Sequence, residues 1–316
     1  MSLQVFNNTA AFNVWTNFTG NSMGLQKSMN RLASGTIGTA DDPSGVGISE
    51  RMRSQARNVN MARNNVDNAT SLLQTADSWL QKVNDMLSRM SELAIEGGDG
   101  TKTTEDKANI DIEFTQLQDE ISRITSKNTS AAKFNGLYLF RGGNGVAVTT
   151  GGGDKVGSGS ITVQIGADTA QTVDLQLSNL EVTNTQIIGS VVTFSYDSGN
   201  NVIGSTHDTV AWASIIDSSN GMSIGTANAV GKLSKAIDFI SNARAKNGAQ
   251  QNRLDQTRSA LLSYEDNLRS AESKIRDVDM AFETTKFNKF QVLSQVGNSM
   301  LAQANQLPQQ VLQLLG

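Results

Sequence analysis

The sequence predicts a mainly α chain with a small β insertion, an α+β protein whose two helical flanks form an elongated coiled-coil-like bundle. Two observations carry this expectation. Apolar residues recur at alternating three- and four-residue spacings over both ends of the chain, and 14 of the 28 glycines crowd into the 85 residues from 141 to 225. Helix interiors tolerate glycine poorly, at about 1 kcal/mol each relative to alanine. The middle zone is therefore not helical. Hydrophobic content of 38% with only 5% aromatics argues against one large globule and for thin, Ala/Leu/Asn/Gln-rich packing.

The first 40 residues contain no acid and two bases, Lys27 and Arg31. Their apolar stripe is Leu3, Phe6, Ala10, Val14, Phe18, Leu25, Met29 and Leu32. Next comes the seam Val59, Ala62, Val66, Ala69, Leu73, Ala76, Leu80, Val83, Leu87, Met90 and Ala94, every position apolar. A helix over 45–96 would run roughly 80 Å at 1.5 Å per residue. Gly97-Gly98-Asp99-Gly100 stops it. A second helix, over 104–128, carries Ile110, Phe114, Leu117, Ile121 and Ile124 at the same spacing, with Glu105 and Asp106 favourably near its N-terminus.

Within the glycine-rich zone, Ile161–Ile165 and Val191–Tyr196 read as strands bounded by turn-rich segments. This zone has a net charge of −5, from Arg141 and Lys155 against Asp154, Asp168, Asp174, Glu181, Asp197, Asp208 and Asp217. It is expected to face solvent. The helical pattern returns with Leu254, Thr257, Leu261, Tyr264, Leu268, Ala271, Ile275, Val278 and Phe282, which places one helix over 226–284. From Phe290 to Gly316 there are 27 residues without a charge, striped by Phe290, Leu293, Val296, Met300, Ala304, Leu307, Val311 and Leu314.

A surface helix normally carries a charged outer face. Two terminal segments with neutral polar faces are instead expected to order when copies of the chain meet, and their stripes are the self-assembly candidates. The domain reading follows: 1–40 with 285–316 as an inner core, 41–140 with 226–284 as an outer bundle, and 141–225 as an exposed β-rich insertion.

The chemistry open to the chain is narrow. Zero cysteines exclude disulfides, thiolate metal sites and cysteine nucleophiles, and a single histidine excludes a histidine-rich metal cluster. A net charge of −4 supplies no field for nucleic acid. Nothing approaches 18 consecutive apolar residues, and residues 1–6 have neither the basic nor the apolar region of a secretory signal. The Gly142–Gly145 and Gly151–Gly153 runs match no phosphate loop. Arg51, Arg53, Arg57 and Arg63 form a basic helix face with no interleaved aromatics, expected to be solvated or to meet another subunit. His207 and Asp208, expected in an exposed loop, are the only pair that an enzyme in the insertion could use. No catalytic residue, cofactor or metal ligand is assigned.

With these features in view, both flanks, roughly 1–140 and 226–316, resemble bacterial flagellin. The N-terminal resemblance rests on Arg31-Leu32-Ala33-Ser34-Gly35 followed by Ala40-Asp41-Asp42, on Leu87–Ala94, and on Phe134-Asn135-Gly136. The C-terminal one rests on Gly248–Leu254, Ile275-Arg276-Asp277-Val278-Asp279 and Leu301–Gln309. Asp42-Pro43-Ser44 and Leu137–Phe140 lean toward the related hook–filament junction protein, the alternative reading; an adhesive or glycan-displaying filament is a third.

The resemblance implies a structural subunit that polymerises into the extracellular flagellar filament for swimming. It also implies unfolded export by the flagellar type III route without a cleaved signal, a secretion chaperone, a filament cap and hook-junction partners. Gln295, Gln303, Gln306, Gln309 and Gln313 become lumen-lining candidates. Leu87, Arg89, Glu92 and Leu93 match a helix face read by a vertebrate innate immune receptor.

Overall fold

The computed structural model describes residues 8–126, 130–140, 160–180, 187–196, 202–216, 222–226 and 228–315. Helix α1 spans Thr9–Ser34, α2 Pro43–Gly97 and α3 Thr104–Thr125. Four short strands follow, β1 Lys133–Phe134, β2 Leu137–Tyr138, β3 Ser160–Gln164 and β4 Thr172–Gln176. The longer β5 Ile187–Tyr196 and β6 Val202–Ala211 precede α4 Ala213–Ile216, α5 Ala229–Arg276 and α6 Met280–Leu315. The chain forms two compact units, one of residues 58–263 and one combining residues 1–57 with 264–316.

In the 58–263 unit the α2 seam is the core. All eleven of its apolar positions, Val59 to Ala94, are no more than 5% exposed. Burying each Leu, Val or Met contributes roughly 1.5–3 kcal/mol, so this stripe is a large share of what holds the unit together. Phe114, Ile121 and Ile124 of α3 and Leu233, Ala236, Ile240, Ala243 and Leu254 of α5 are buried with it. A capping box starts α3. The Thr103 amide donates to Asp106 Oδ2 at 3.0 Å, and the Asp106 amide donates back to Thr103 Oγ1 at 3.2 Å. Arg244 to Asp77 at 2.9 Å and Arg258 to Asp67 at 2.8 Å tie α5 to α2; such half-exposed pairs contribute about 0–1 kcal/mol each and serve mainly to set alignment.

The described part of the 141–225 segment differs from the solvent-facing module read from composition. Val173, Leu175, Leu180, Val210, Trp212, Ile215 and Ile216 are buried in the same core as α2, α3 and α5. Polar anchors seat it there. Gln118 on α3 donates to the carbonyls of Ile215 at 2.6 Å and Met222 at 2.8 Å, and Trp212 Nε1 donates to Leu180 at 2.7 Å. Gln250 of α5 extends the β4 edge, accepting from the Gln176 amide and donating to its carbonyl, both at 2.9 Å. Composition reports glycine and charge, whereas burial here depends on a few apolar residues at alternate positions. The glycine runs 142–145 and 151–153 lie outside the described residues.

Two of the three hairpins contain the strands expected, with β3 and β5 covering Ile161–Ile165 and Val191–Tyr196 to within a few residues. Strand β6 pairs antiparallel with β5, placing His207 opposite Val192. His207 thus lies in a strand rather than a loop, while Asp208 is exposed and bridged to Lys232 Nζ at 2.9 Å. At the β1–β2 turn, Asn135 and Gly136 both take positive φ, 46° and 79°, as a two-residue primed turn requires.

The 1–57/264–316 unit is organised by α1 and α6, which pair antiparallel. The Asn8 side chain donates to the Ala304 carbonyl at 2.9 Å at one end, and Ser28 Oγ donates to the Glu283 carboxylate near the other. Val14, Phe18, Leu25 and Leu32 of α1 and Phe290, Leu293 and Leu301 of α6 are half-buried, with Ala304 buried among them. Gly24 admits this approach. A Cβ there would lie 2.7 Å from the Phe290 ring. Asn8 caps α1 by accepting from the Ala11 amide at 3.0 Å, and Gly35 ends it in the left-handed region at φ 68°.

The helix expected over 226–284 is interrupted. Helix α5 stops at Arg276 because Thr36 and Asp277 form a β-bridge, with the Ile37 amide donating to the Arg276 carbonyl at 2.8 Å and that of Val278 to Gly35 at 3.0 Å. Asp279 then caps α6, accepting from the amides of Ala281 and Phe282 at 3.0 Å. Apolar periodicity runs through this break, since Val278 and Phe282 keep the spacing, but backbone pairing overrides it locally.

Candidate assembly surface

The charges of α1 are few and all engaged. Lys27 and Arg31 converge on Asp41, at 2.6 and 2.7 Å, and Arg31 also lies 3.5 Å from buried Glu283. The only cations of the first 40 residues therefore lock the root of the α1/α6 pair. Their hydrogen bonds hold the Asp41 carboxyl below its ordinary value near 3.8, the Lys27 bond contributing most. Arg276 does the same for Glu50 in the same unit. A depressed carboxylate stabilises the fold above its unfolded value and loses that contribution as pH falls through the folded one. Melting of the α1/α6 pair, followed by circular dichroism, should thus be flat from neutral pH to about 5 and drop below about 4. Asp41→Asn should lower the neutral-pH melting point and flatten the acid drop.

Away from this root, residues 9–26 of α1 and 290–315 of α6 carry no charged side chain. Phe12, Trp15, Met23 and Met29 of α1 and Val292, Val296 and Met300 of α6 are 51–66% exposed, and Met280 and Phe282 at the start of α6 are similarly open. These account for more than half of the large apolar side chains left exposed among the described residues. Phe12 and Trp15 sit side by side, ring centroids 5.9 Å apart. Gln295, Gln303 and Gln306 are exposed on the same side of α6 as Val292 and Val296. Each terminal helix is therefore apolar on two sides, one against its partner helix and one open.

The sequence-read stripes divide accordingly. Val14, Phe18, Leu25, Leu32, Phe290 and Leu293 join the α1–α6 contact, while Met29, Val296 and Met300 lie on the open side. Leu3 and Phe6 lie outside the described residues, as do the side chains of Leu307, Val311, Leu314, Gln309 and Gln313. Phe12, Trp15, Met23 and Val292 lie off the single apolar stripe expected along each helix; the 12/15 and 292/296/300 spacings were the signal for a second one.

Of the four residues matched to a receptor face, Leu87 and Leu93 are buried in the α2 seam and only Arg89 and Glu92 reach the surface. Arg89 bonds Glu113 at 2.8 Å and Glu92 at 3.0 Å, and pushes the Glu113 carboxyl down. Within the Arg51–Arg63 face, Arg53 pairs with Glu272 at 2.6 Å.

An open apolar face on each of two paired terminal helices with few charges is a surface for association with another molecule, the pattern of a structural protein rather than of a catalyst. Residues 5–145 match the model of the bacterial flagellin N-terminal helical region and residues 230–315 that of the C-terminal helical region. The chain is 36% identical to flagellin of Bacillus subtilis over 99% of its own length and 100% of the relative's. It is 35% identical to the flagellar filament 33 kDa core protein of Treponema phagedenis, covering 93% of each. A solved structure described as a flagellar hook-associated protein of Vibrio parahaemolyticus shares the fold, with a TM-score of 0.53 at 15% identity over 75% of this chain and all of that one. The chain belongs to the bacterial flagellin family, a family of structural proteins and not of enzymes. The hook-associated likeness extends to fold alone.

Proposed function

We propose that this chain is a filament subunit added through the open sides of α1 and α6, with the 58–263 unit providing a rigid, independently packed body. The observation that carries this reading is the row Phe12, Trp15, Met23, Val292, Val296 and Met300, exposed on helices that hold few charges. A contact that repeats without closing generates a helical polymer. Before assembly, a secretion chaperone would cover α6, and a distal cap would hold the arriving chain while it folds. Seeding purified protein with filament fragments should yield tubes visible by electron microscopy. A junction protein would stay monomeric under the same conditions.

Gln295, Gln303 and Gln306 fit a channel lining, because uncharged amides retain an unfolded passenger weakly. Changing all three to Asp should slow filament growth in cells severalfold while leaving export of hook components unchanged. Equal growth rates would remove these residues from the lumen.

A further inference from the structure

Four of the ten methionines, Met23, Met29, Met280 and Met300, are 50–66% exposed on α1 and α6, whereas Met90 and Met222 are buried to 0% and 4%. The chain has no cysteine to intercept an oxidant. We propose that these four thioethers form an oxidation-sensitive gate on assembly, open to modification in the free subunit and shielded once a neighbour covers them. The gate rests on the assembly reading above. A hydroperoxide supplies the chemistry. The Met Sδ attacks the peroxide oxygen, the S–O bond forms as the O–O bond breaks, sulfur is oxidised by two electrons and the peroxide is reduced to water or an alcohol. The product sulfoxide is polar and chiral where an apolar, adaptable side chain was needed.

The position of the four explains why the effect should fall on assembly rather than on folding. None of them fills the α1–α6 contact or the α2 seam, so their sulfoxides remain hydrated in the monomer and unfold nothing. In the filament the same oxygens would have to leave water without a partner, which lowers elongation by about tenfold or more. The modification is reversible by methionine sulfoxide reductases, which are specific for each sulfoxide epimer.

Folded monomer and finished filaments are treated separately with hydrogen peroxide, mapped by peptide mass, and the monomer is then seeded. The four methionines should gain oxygen rapidly in the monomer and slowly in the filament, with Met61, exposed on the other unit, as the reactive control and Met90 as the protected one. Oxidised monomer should keep its circular dichroism spectrum, elongate about tenfold more slowly and recover after both reductases act. Undiminished elongation of the oxidised monomer, or equal oxidation of the four sites in filament and monomer, overturns the gate. A Met23→Leu/Met29→Leu/Met280→Leu/Met300→Leu chain should elongate after peroxide treatment. Failure of untreated wild-type monomer to elongate would instead strike the assembly reading itself.

Discussion

Trp15→Asp combined with Val296→Asp should abolish seeded filament growth while leaving the monomer's melting profile almost unchanged. Both side chains are about half exposed, 52% and 51%, so each new carboxylate is hydrated in the free subunit. Covering it with a neighbour removes that hydration, and residues 290–316 offer it no cation while both bases of residues 1–40 are committed to Asp41. An unpaired charge driven into an interface costs at least about 2–3 kcal/mol, so two should slow elongation by well over about 100-fold. Sedimentation of seeded mixtures reads this directly. Asn in place of Asp should produce a milder defect, which separates charge from lost apolar area.

Leu87→Ala should lower the stability of the 58–263 unit by about 2–5 kcal/mol, and Phe114→Ala by about 3–5 kcal/mol. Both side chains are fully buried, and the cavity each leaves lies between helices held by many other contacts, which limits collapse. Urea denaturation followed at 222 nm should register the loss as a lower midpoint with unchanged slope. Arg89→Ala is the control. Its guanidinium sits on the surface against Glu113 and Glu92, where solvent screens ion pairs and leaves them little effect on stability. A larger effect from Arg89 than from Leu87 would invert the account of which α2 residues are core.

How far the sequence could be read depended on what each residue's partner was. The α2 seam was legible throughout because helical spacing alone decides which side of a long amphipathic helix is buried. The α5–α6 break at 277–279 was not, because it depends on Thr36 pairing with Asp277, a contact spanning most of the chain. Strands β4 and β6 escaped for a related reason. Thr172–Gln176 and Val202–Ala211 do carry β-branched residues, but Asp174, Gly204, Ser205 and Asp208 break up the pattern, and pairing with the partner strands imposes the conformation. The assembly surface was half legible. Charge depletion marked the right helices, but Gly24 determines which side of α1 meets α6, and a glycine's role in close packing is visible only when Phe290 stands against it. Leu87 and Leu93 illustrate the converse, since a motif match identifies residues without indicating that they face inward.

On the function proposed above, α1 and α6 acquire their full burial only from neighbouring copies. Backbone hydrogen exchange, measured by mass spectrometry on free subunit and on filament, tests it most directly. Peptides covering Phe12–Met29 and Val292–Met300 should exchange quickly in the subunit and become strongly protected in the filament, with the Val66–Met90 stretch protected in both. Equal protection of the terminal helices in the two states would show that the α1–α6 pair is complete in the single chain and would refute burial by neighbours.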